Sequence, residues 1–318
     1  MSETLGNLRR KMSGAGKLQS VVRTMKAMAA SNIGQYESAV RALADYDRTV
    51  ELGLVAFFRQ GWPASGAERT ERIDESAVGA VVFGSDQGLV GKFNEALVDF
   101  TVDALAALPG EKKIWAVGER VHARLKDADL PPIRAFAVPN SVIAITPLVG
   151  QVLIECEMHR RKGEVGQVYL FHNRPSSGAI YKPVSQRLLP LDEKWRRELT
   201  EVRWPFVNLP EVLVGGEIML QSLIREYLFV SMFKACAESL AGENASRLAA
   251  MQRAEKNIDE LLEDLSRTFH SLRQSSIDEE LFDVISGYES LSVKKNGHRP
   301  PPVAENDLNP APGKKHTV

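Results

Sequence analysis

The chain has 318 residues, enough for roughly two domains at about 150 residues each. Hydrophobic residues make up 44% and charged residues 25%, and 40 basic against 41 acidic side chains leave a net charge of −1, so no overall field recruits nucleic acid or a membrane surface. Two cysteines, Cys156 and Cys236, exclude a disulfide framework and a four-cysteine zinc site, while an apolar leader and a run of about 18 apolar residues are both missing, which predicts a soluble cytoplasmic protein reaching a membrane only through partners.

Proline placement divides the chain. None of the 16 prolines lies in residues 1–62 or 211–299, whereas residues 63–210 hold eleven and the last nineteen residues hold five. Proline inside a helix costs about 3 kcal/mol, so the two proline-free ends predict helices. The expected organisation is an N-terminal helix over 1–60, an α/β domain over 61–210, a C-terminal helix over 211–291 and a disordered tail over 292–318.

In the first segment the apolar positions run Leu5, Leu8, Met12, Ala15, Val22, Met25, Ala29, Ile33, Tyr36, Val40, Leu43, Val50, Leu54, Phe57, with a gap at Asp47. Steps of three and four average 3.5 residues, the repeat of a left-handed coiled-coil seam. Such a helix would be about 80 Å long, more than a small domain requires. The middle region then alternates. Val78–Phe83 reads as a strand, Phe93–Leu108 as a helix, Ile114–Val117 as a strand and Glu119–Lys126 as a short helix. Pro147–Arg160 reads as a helix capped by Thr146, with proline at its first position. Val165–Phe171 and Val184–Leu189 follow as strands. Strands alternating with helices predict a small Rossmann-like α/β sheet domain. The C-terminal segment resumes the seam through Leu220, Leu223, Tyr227, Leu248, Met251, Ala254, Ile258, Leu261, Leu265, Phe269, Leu272, Leu281, Val284, Tyr288 and Leu291. An antiparallel N-/C-terminal coiled coil would leave the C-terminal helix unpaired over roughly 40 Å. A helix that long is marginal alone in water, so the overhang calls for a surrounding partner.

The most site-like string is Gly84-Ser-Asp-Gln-Gly88-Leu-Val-Gly91-Lys-Phe-Asn94, between a strand and a helix, where phosphate cradles sit. A P-loop needs a glycine five positions before its Gly-Lys pair and a hydroxyl after it. Asp86 and Phe93 occupy those places. The string reads as a structural turn with exposed Ser85 and Asp86 and no nucleotide or other cofactor. Six scattered histidines show no close metal-site spacing; Cys156 and His159 share a helix face but two ligands are not a zinc site. No Gly-x-Ser-x-Gly elbow is present. These residues predict no catalytic and no metal centre.

Charge is uneven locally. Residues 1–30 carry Arg9, Arg10, Lys11, Lys17, Arg23 and Lys26 against Glu3 alone. Residues 269–291 carry Arg273 against Asp278, Glu279, Glu280, Asp283 and Glu289. A basic stripe on a rod that needs a partner can steer toward an acidic surface, whereas the scarcity of interleaved aromatics disfavours nucleic acid.

Three segments carry a family resemblance. They are Val-Val-Arg-Thr-Met-Lys-Ala-Met-Ala-Ala-Ser (21–31), the loop Ser85–Asn94, and Glu-Asn-Ala-Ser-Arg-Leu-Ala-Ala-Met-Gln (243–252) followed by Leu-Arg-Gln-Ser-Ser-Ile-Asp-Glu-Glu-Leu (272–281). The chain resembles the gamma subunit of F-type ATP synthases, from its start to about Leu291. The resemblance implies an antiparallel coiled coil inside a hexamer of alpha and beta subunits, with the α/β domain below it near the c-ring and the epsilon subunit. It implies a non-catalytic rotor that passes torque between an ion-driven ring and ATP-handling sites in proton- or sodium-coupled ATP synthesis or hydrolysis, at the cytoplasmic face of the plasma membrane. By the same resemblance Arg9, Arg10, Lys11, Arg23, Met25 and Lys26 face acidic levers of the beta subunits, Ser85 and Asp86 lie near those levers, and Arg273 and Gln274 catch a beta-subunit loop. Gln87, Val90, Lys92 and Asp278 depart from the family's usual arginine, cysteine, glycine and threonine. With the unusual stretch 14–20 and the added 292–318, they resemble a divergent lineage such as the alternative ion-pumping F-type ATPases. The competing reading is an α/β enzyme dimerised through its coiled-coil helices.

Overall fold

The computed structural model describes residues 4–60, 77–176, 179–191, 193–205, 207–208 and 216–296. Its elements, in chain order, are α1 (Leu5–Arg59), β1 (Val78–Phe83), α2 (Phe93–Ala106), β2 (Lys112–Val117), α3 (Glu119–Asp127), β3 (Arg134–Phe136), α4 (Val142–Arg161), β4 (Gln167–Ser176), β5 (Ala179–Leu189), α5 (Glu193–Thr200) and α6 (Gly216–Asn296). Contacts within the chain group it into two units, residues 17–259 and residues 1–16 with 260–318.

In the first unit the sheet order is β3-β2-β1-β4-β5. The first four of these are parallel, and β5 returns antiparallel to β4. Strand β1 is buried along its whole length, as a central parallel strand covered on both faces must be. Alternate residues feed two cores. Val78, Ala80 and Val82 pack with Leu97 and Leu105 of α2 and Val121 and Leu125 of α3. Val81 and Phe83 face the other way, toward Ile145, Val149 and Val152 of α4 and Met232, Ala235 and Cys236 of α6. A third core joins Val50, Leu54 and Phe57 of α1 to Leu199 of α5 and Leu220 and Tyr227 of α6.

The helical seam follows the heptad reading closely in α1. Val50, Leu54 and Phe57 are buried, Tyr36 is 4% exposed and Ala29 1% exposed. Paired residues show the direction. Arg23 meets Glu255, Asn32 meets Asn244, and Asp47 meets Lys234, so rising numbers on α1 oppose falling numbers on α6. The pairing is antiparallel. The gap at Asp47 is filled by an ion pair, Lys234 Nζ lying 3.4 Å from Asp47 Oδ2.

Several expectations need correction. Helix α4 starts at Val142 after Ser141, not at Pro147, which lies inside it. The carbonyl left without a donor by Pro147 belongs to Ile143, whose side chain is 86% exposed, so water can satisfy it. This helix is long and apolar enough to cross a membrane by composition, contrary to the expectation of no such span, yet Ile145, Val149, Val152 and Cys156 bury one face against the sheet. Strand β3 has only three residues, with a burial pattern too short for periodicity to reveal, and α5 was also unforeseen.

In the second unit, residues 4–16 and 260–296 are described. Leu8 is fully buried and Ala15 is 5% exposed. On α6 the seam passes through Leu262 rather than Leu261, which is 50% exposed. From Ile277 to Glu289 every position is exposed, including Leu281, Phe282, Val284 and Tyr288. The helix continues to Asn296, five residues beyond the expected end at Leu291, so residues 292–296 are helical rather than tail. The remaining tail, 297–318, and its prolines lie outside the described residues.

Candidate functional site: the sheet crevice and the partner-facing surfaces

In an open α/β sheet, ligands bind outside the carboxyl ends of the strands where the chain order reverses. Here that point lies between β1 and β4. Beside it, where the ends of β1 and β2 meet, the backbone is packed too closely for side chains. A Cβ on Gly84 would stand 2.3 Å from Val121 Cβ, and one on Gly118, at φ 119°, 2.7 Å from the Ser85 carbonyl oxygen. The loop after β1 is braced from within. Ser85 N donates to Asn94 Oδ1 at 3.0 Å, Asn94 Nδ2 donates to Ser85 Oγ at 2.8 Å, and Ser85 Oγ donates to the Gln87 carbonyl at 2.9 Å. Ser85 is therefore fully buried, which corrects its expected exposure. Asp86 accepts from the backbone N–H groups of Glu119 and Val138, each at 2.9 Å, tying the loops after β2 and β3 to the loop after β1.

Helix α6 fills the crevice. Ser239 Oγ donates to the Phe83 carbonyl at 2.8 Å, and Ser246 Oγ donates to the Val90 carbonyl. Between them the α6 backbone presses so closely that a Cβ on Gly242 would stand 3.1 Å from the Asn173 carbonyl oxygen. Asn173 Nδ2 in turn donates to the Phe93 carbonyl at 2.9 Å. An anion cradle needs free N–H donors at a helix N-terminus. This crevice instead presents carbonyls, matched by hydroxyl and amide donors from the protein itself.

A buried ionic cluster lies where α1, α6 and the sheet meet. Glu238, with an 11% exposed side chain, accepts from His172 Nε2 at 2.7 Å and Arg174 Nε at 2.8 Å. Burial pushes the Glu238 carboxyl upward, but the hydrogen bonds from His172 and Arg174 outweigh it and hold it below the ordinary carboxylate value. Burial pushes His172 below the ordinary imidazole value. Its Nδ1 has no partner among the described residues, so a second ring proton would be stranded. A cavity of about 100 Å³ opens beside the cluster, lined also by Asp47, Glu51 and Lys234. Sequence reasoning passed over this cluster, although His172 and Arg174 stand two apart on a strand and so share a face. Nearby, burial raises the Glu243 carboxyl while Arg247 Nη2 donates to it at 2.5 Å. Among the described residues no three metal-ligating side chains converge.

The expected interface residues fall into three groups. Arg23 and Lys26 turn toward α6, where both contact Glu255, at 2.9 and 2.5 Å. Hydrogen bonds from Lys26 and then Arg23 hold Glu255 below its ordinary value. Met25 is half-buried in the same seam. Ser85 and Asp86 brace the crevice as described. Within the second unit the Arg9 guanidinium lies 5.7 Å from the centre of the Phe269 ring, and Arg10, Lys11, Arg273 and Gln274 are exposed. Leu89, 61% exposed and at φ 62°, holds a backbone conformation that leucine rarely adopts, a feature no pattern in the sequence announced.

Comparisons with known proteins give one family. A family model described as ATP synthase matches residues 4–291. A curated ATP synthase gamma chain from Glaesserella parasuis is 27% identical over 299 residues, covering 89% of this chain and 98% of that relative. The ATP synthase gamma chain of Syntrophus aciditrophicus is 26% identical over 300 residues, covering 91% and 98%. Among solved structures, a chain of the Euglena gracilis mitochondrial ATP synthase in rotational state 3 superposes with a TM-score of 0.61 at 17% identity, covering 96% of this chain and 98% of that one. Two long helices joined through a five-stranded sheet, a family match across nearly the whole described chain and relatives matched over almost their whole length agree: the chain belongs to the ATP synthase gamma-chain family.

Proposed function

We propose that this chain is the non-catalytic central rotor of an F-type ATPase, carrying torque between a membrane ion-driven c-ring and a hexamer of alpha and beta subunits during proton- or sodium-coupled ATP synthesis or hydrolysis. The observation that carries the reading is the crevice at the carboxyl end of the sheet. The place where an α/β enzyme would hold its ligand is filled by the chain's own helix α6. That arrangement serves a transmission element and disfavours an α/β enzyme dimerised through its helices.

The partners follow from the relatives. A Tetrahymena thermophila structure that this chain resembles is described as central stalk and c-ring, and a Euglena gracilis one as a rotor. By the same reading, alpha, beta, epsilon and c-ring subunits are the partners, at the cytoplasmic face of the plasma membrane. The exposed Arg10, Lys11, Arg273 and Gln274, with Arg9, meet acidic and polar loops of the hexamer. The exposed Leu281, Phe282, Val284 and Tyr288 supply the apolar surface that a sleeve would cover.

Two measurements test the proposal. Calorimetry on the purified chain should show no saturable ATP site, and a stoichiometric one would refute it. Co-expression with the alpha and beta subunits should give a complex in which a bead on the α/β domain turns with ATP. A complex that forms with this chain fixed while ATP is hydrolysed would equally refute it.

A further inference from the structure

A rotor must pass torque from its sheet domain into its helices, and a joint that slips would lose it. We propose that the crevice at the β1/β4 switch point is that joint, with Ser239 and Ser246 as its positioning residues; the proposal rests on the rotor reading above.

The two serines are seven apart on α6, two helical turns, so they share one face about 10 Å apart along the axis. Their acceptors, the carbonyls of Phe83 and Val90, are also seven apart, and both bonds span the same separation of 156 residues. The helix is thus pinned at two points to one loop. A single pin would let it pivot, whereas two oppose both sliding and rotation. Serine has one rotatable bond before its hydroxyl, which leaves less slack than a lysine–carboxylate pair would. Gly242, between the pins, lets the α6 backbone lie against the Asn173 carbonyl. The loop so gripped is itself fixed to the rest of the sheet, through Asn94 on Ser85 and Asp86 on the N–H groups of Glu119 and Val138. The glycine-rich loop therefore works as a splice between the sheet and α6. The amide and hydroxyl of Ser85 and the carboxylate of Asp86, which face the crevice from that loop, are committed to the splice.

The experiment uses the assembled ATPase with a bead on the α/β domain. The double variant Ser239→Ala with Ser246→Ala removes both pins without adding bulk. Torsional stiffness of the rotor, read from angular fluctuations of the bead while ATP hydrolysis is arrested, should fall at least twofold, and Ser246→Thr, which keeps a hydroxyl, should restore part of it over Ser246→Ala alone. Unchanged stiffness in an assembled double variant would overturn the proposal. Failure of the wild-type bead to turn at all would instead count against the rotor reading.

Discussion

Removing the Glu238 carboxylate would separate two kinds of hydrogen bond. Glu238→Ala strands the His172 Nε2–H, on a side chain only 1% exposed, where an unsatisfied donor costs about 1–3 kcal/mol. Arg174, 48% exposed, can turn to water, so its loss adds at most about 1 kcal/mol. The alanine variant should therefore lose about 1–4 kcal/mol. Glu238→Gln keeps an acceptor oxygen for His172 and should lose about 1–2 kcal/mol less than alanine, or roughly 2–8 °C in Tm for a unit of this size. Acidity provides a second readout. Folded His172 resists protonation because burial depresses it, while the unfolded imidazole takes a proton near pH 6.5. Below that value the unfolded state binds more protons, so stability is full at higher pH and declines as pH falls. Glu238, held below its ordinary value, adds loss in the same direction at lower pH. Denaturant melts of the full chain at pH 7.5 and 5.5 should show a smaller drop for His172→Gln than for the parent. Equal Tm values for the alanine and glutamine variants, together with an unaltered pH slope in His172→Gln, would refute the reasoning.

Other outcomes follow from individual packing and charge. Gly84→Ala forces a Cβ to within 2.3 Å of Val121 Cβ and should cost about 1–3 kcal/mol, measurable as a lowered denaturant midpoint with unchanged slope. Cys156 is buried with its thiol pushed up to about 12, and burial raises Cys236 as well. Neither should react with a thiol reagent at pH 8 until the chain is denatured, so stoichiometric labelling of the native chain would contradict the packing. Exposed charges contribute about 0–1 kcal/mol each. Alanine at Arg9, Arg10 or Lys11 singly should thus change assembled ATPase activity modestly, and the triple change should do more; complete inactivation by Arg10→Ala in an assembled complex would overturn that.

The periodic parts of this fold were readable because periodicity reports burial directly. The α1 seam from Ala29 to Phe57 could be followed in the sequence, and so could the buried run Val78–Phe83. The crevice was half legible. Spacing argues against a phosphate cradle in the glycine-rich loop, but the expected exposure of Ser85 is wrong, since it lies at 0% exposure. The contacts that bury it run from side chains to backbone carbonyls across long separations, as Ser239 to Phe83, and such acceptors leave no residue-type signature. For the same reason Asp47 looked like a defect in the heptads, since its partner Lys234 lies 187 residues away. Proline favours the first turn of a helix, so Pro147 pointed to a start five residues later than the actual one at Val142. The positions proposed to meet partners rest on family resemblance, and the contacts of Arg23 and Lys26 with Glu255 leave no sequence signature because they span 232 and 229 residues.

The filled crevice also constrains how the chain can be made. Strand β1 leaves the ribosome with its Phe83 carbonyl and one sheet face still waiting for α6, whose Ser239 is encoded 156 residues later. At about 5–20 residues per second that interval is roughly 8–30 s. During it, Val81 and Phe83 lack the cover that Met232, Ala235 and Cys236 later provide. The nascent sheet is thus an aggregation-prone intermediate until α6 has emerged, and a message truncated before codon 239 should yield a chaperone client rather than a folded α/β domain.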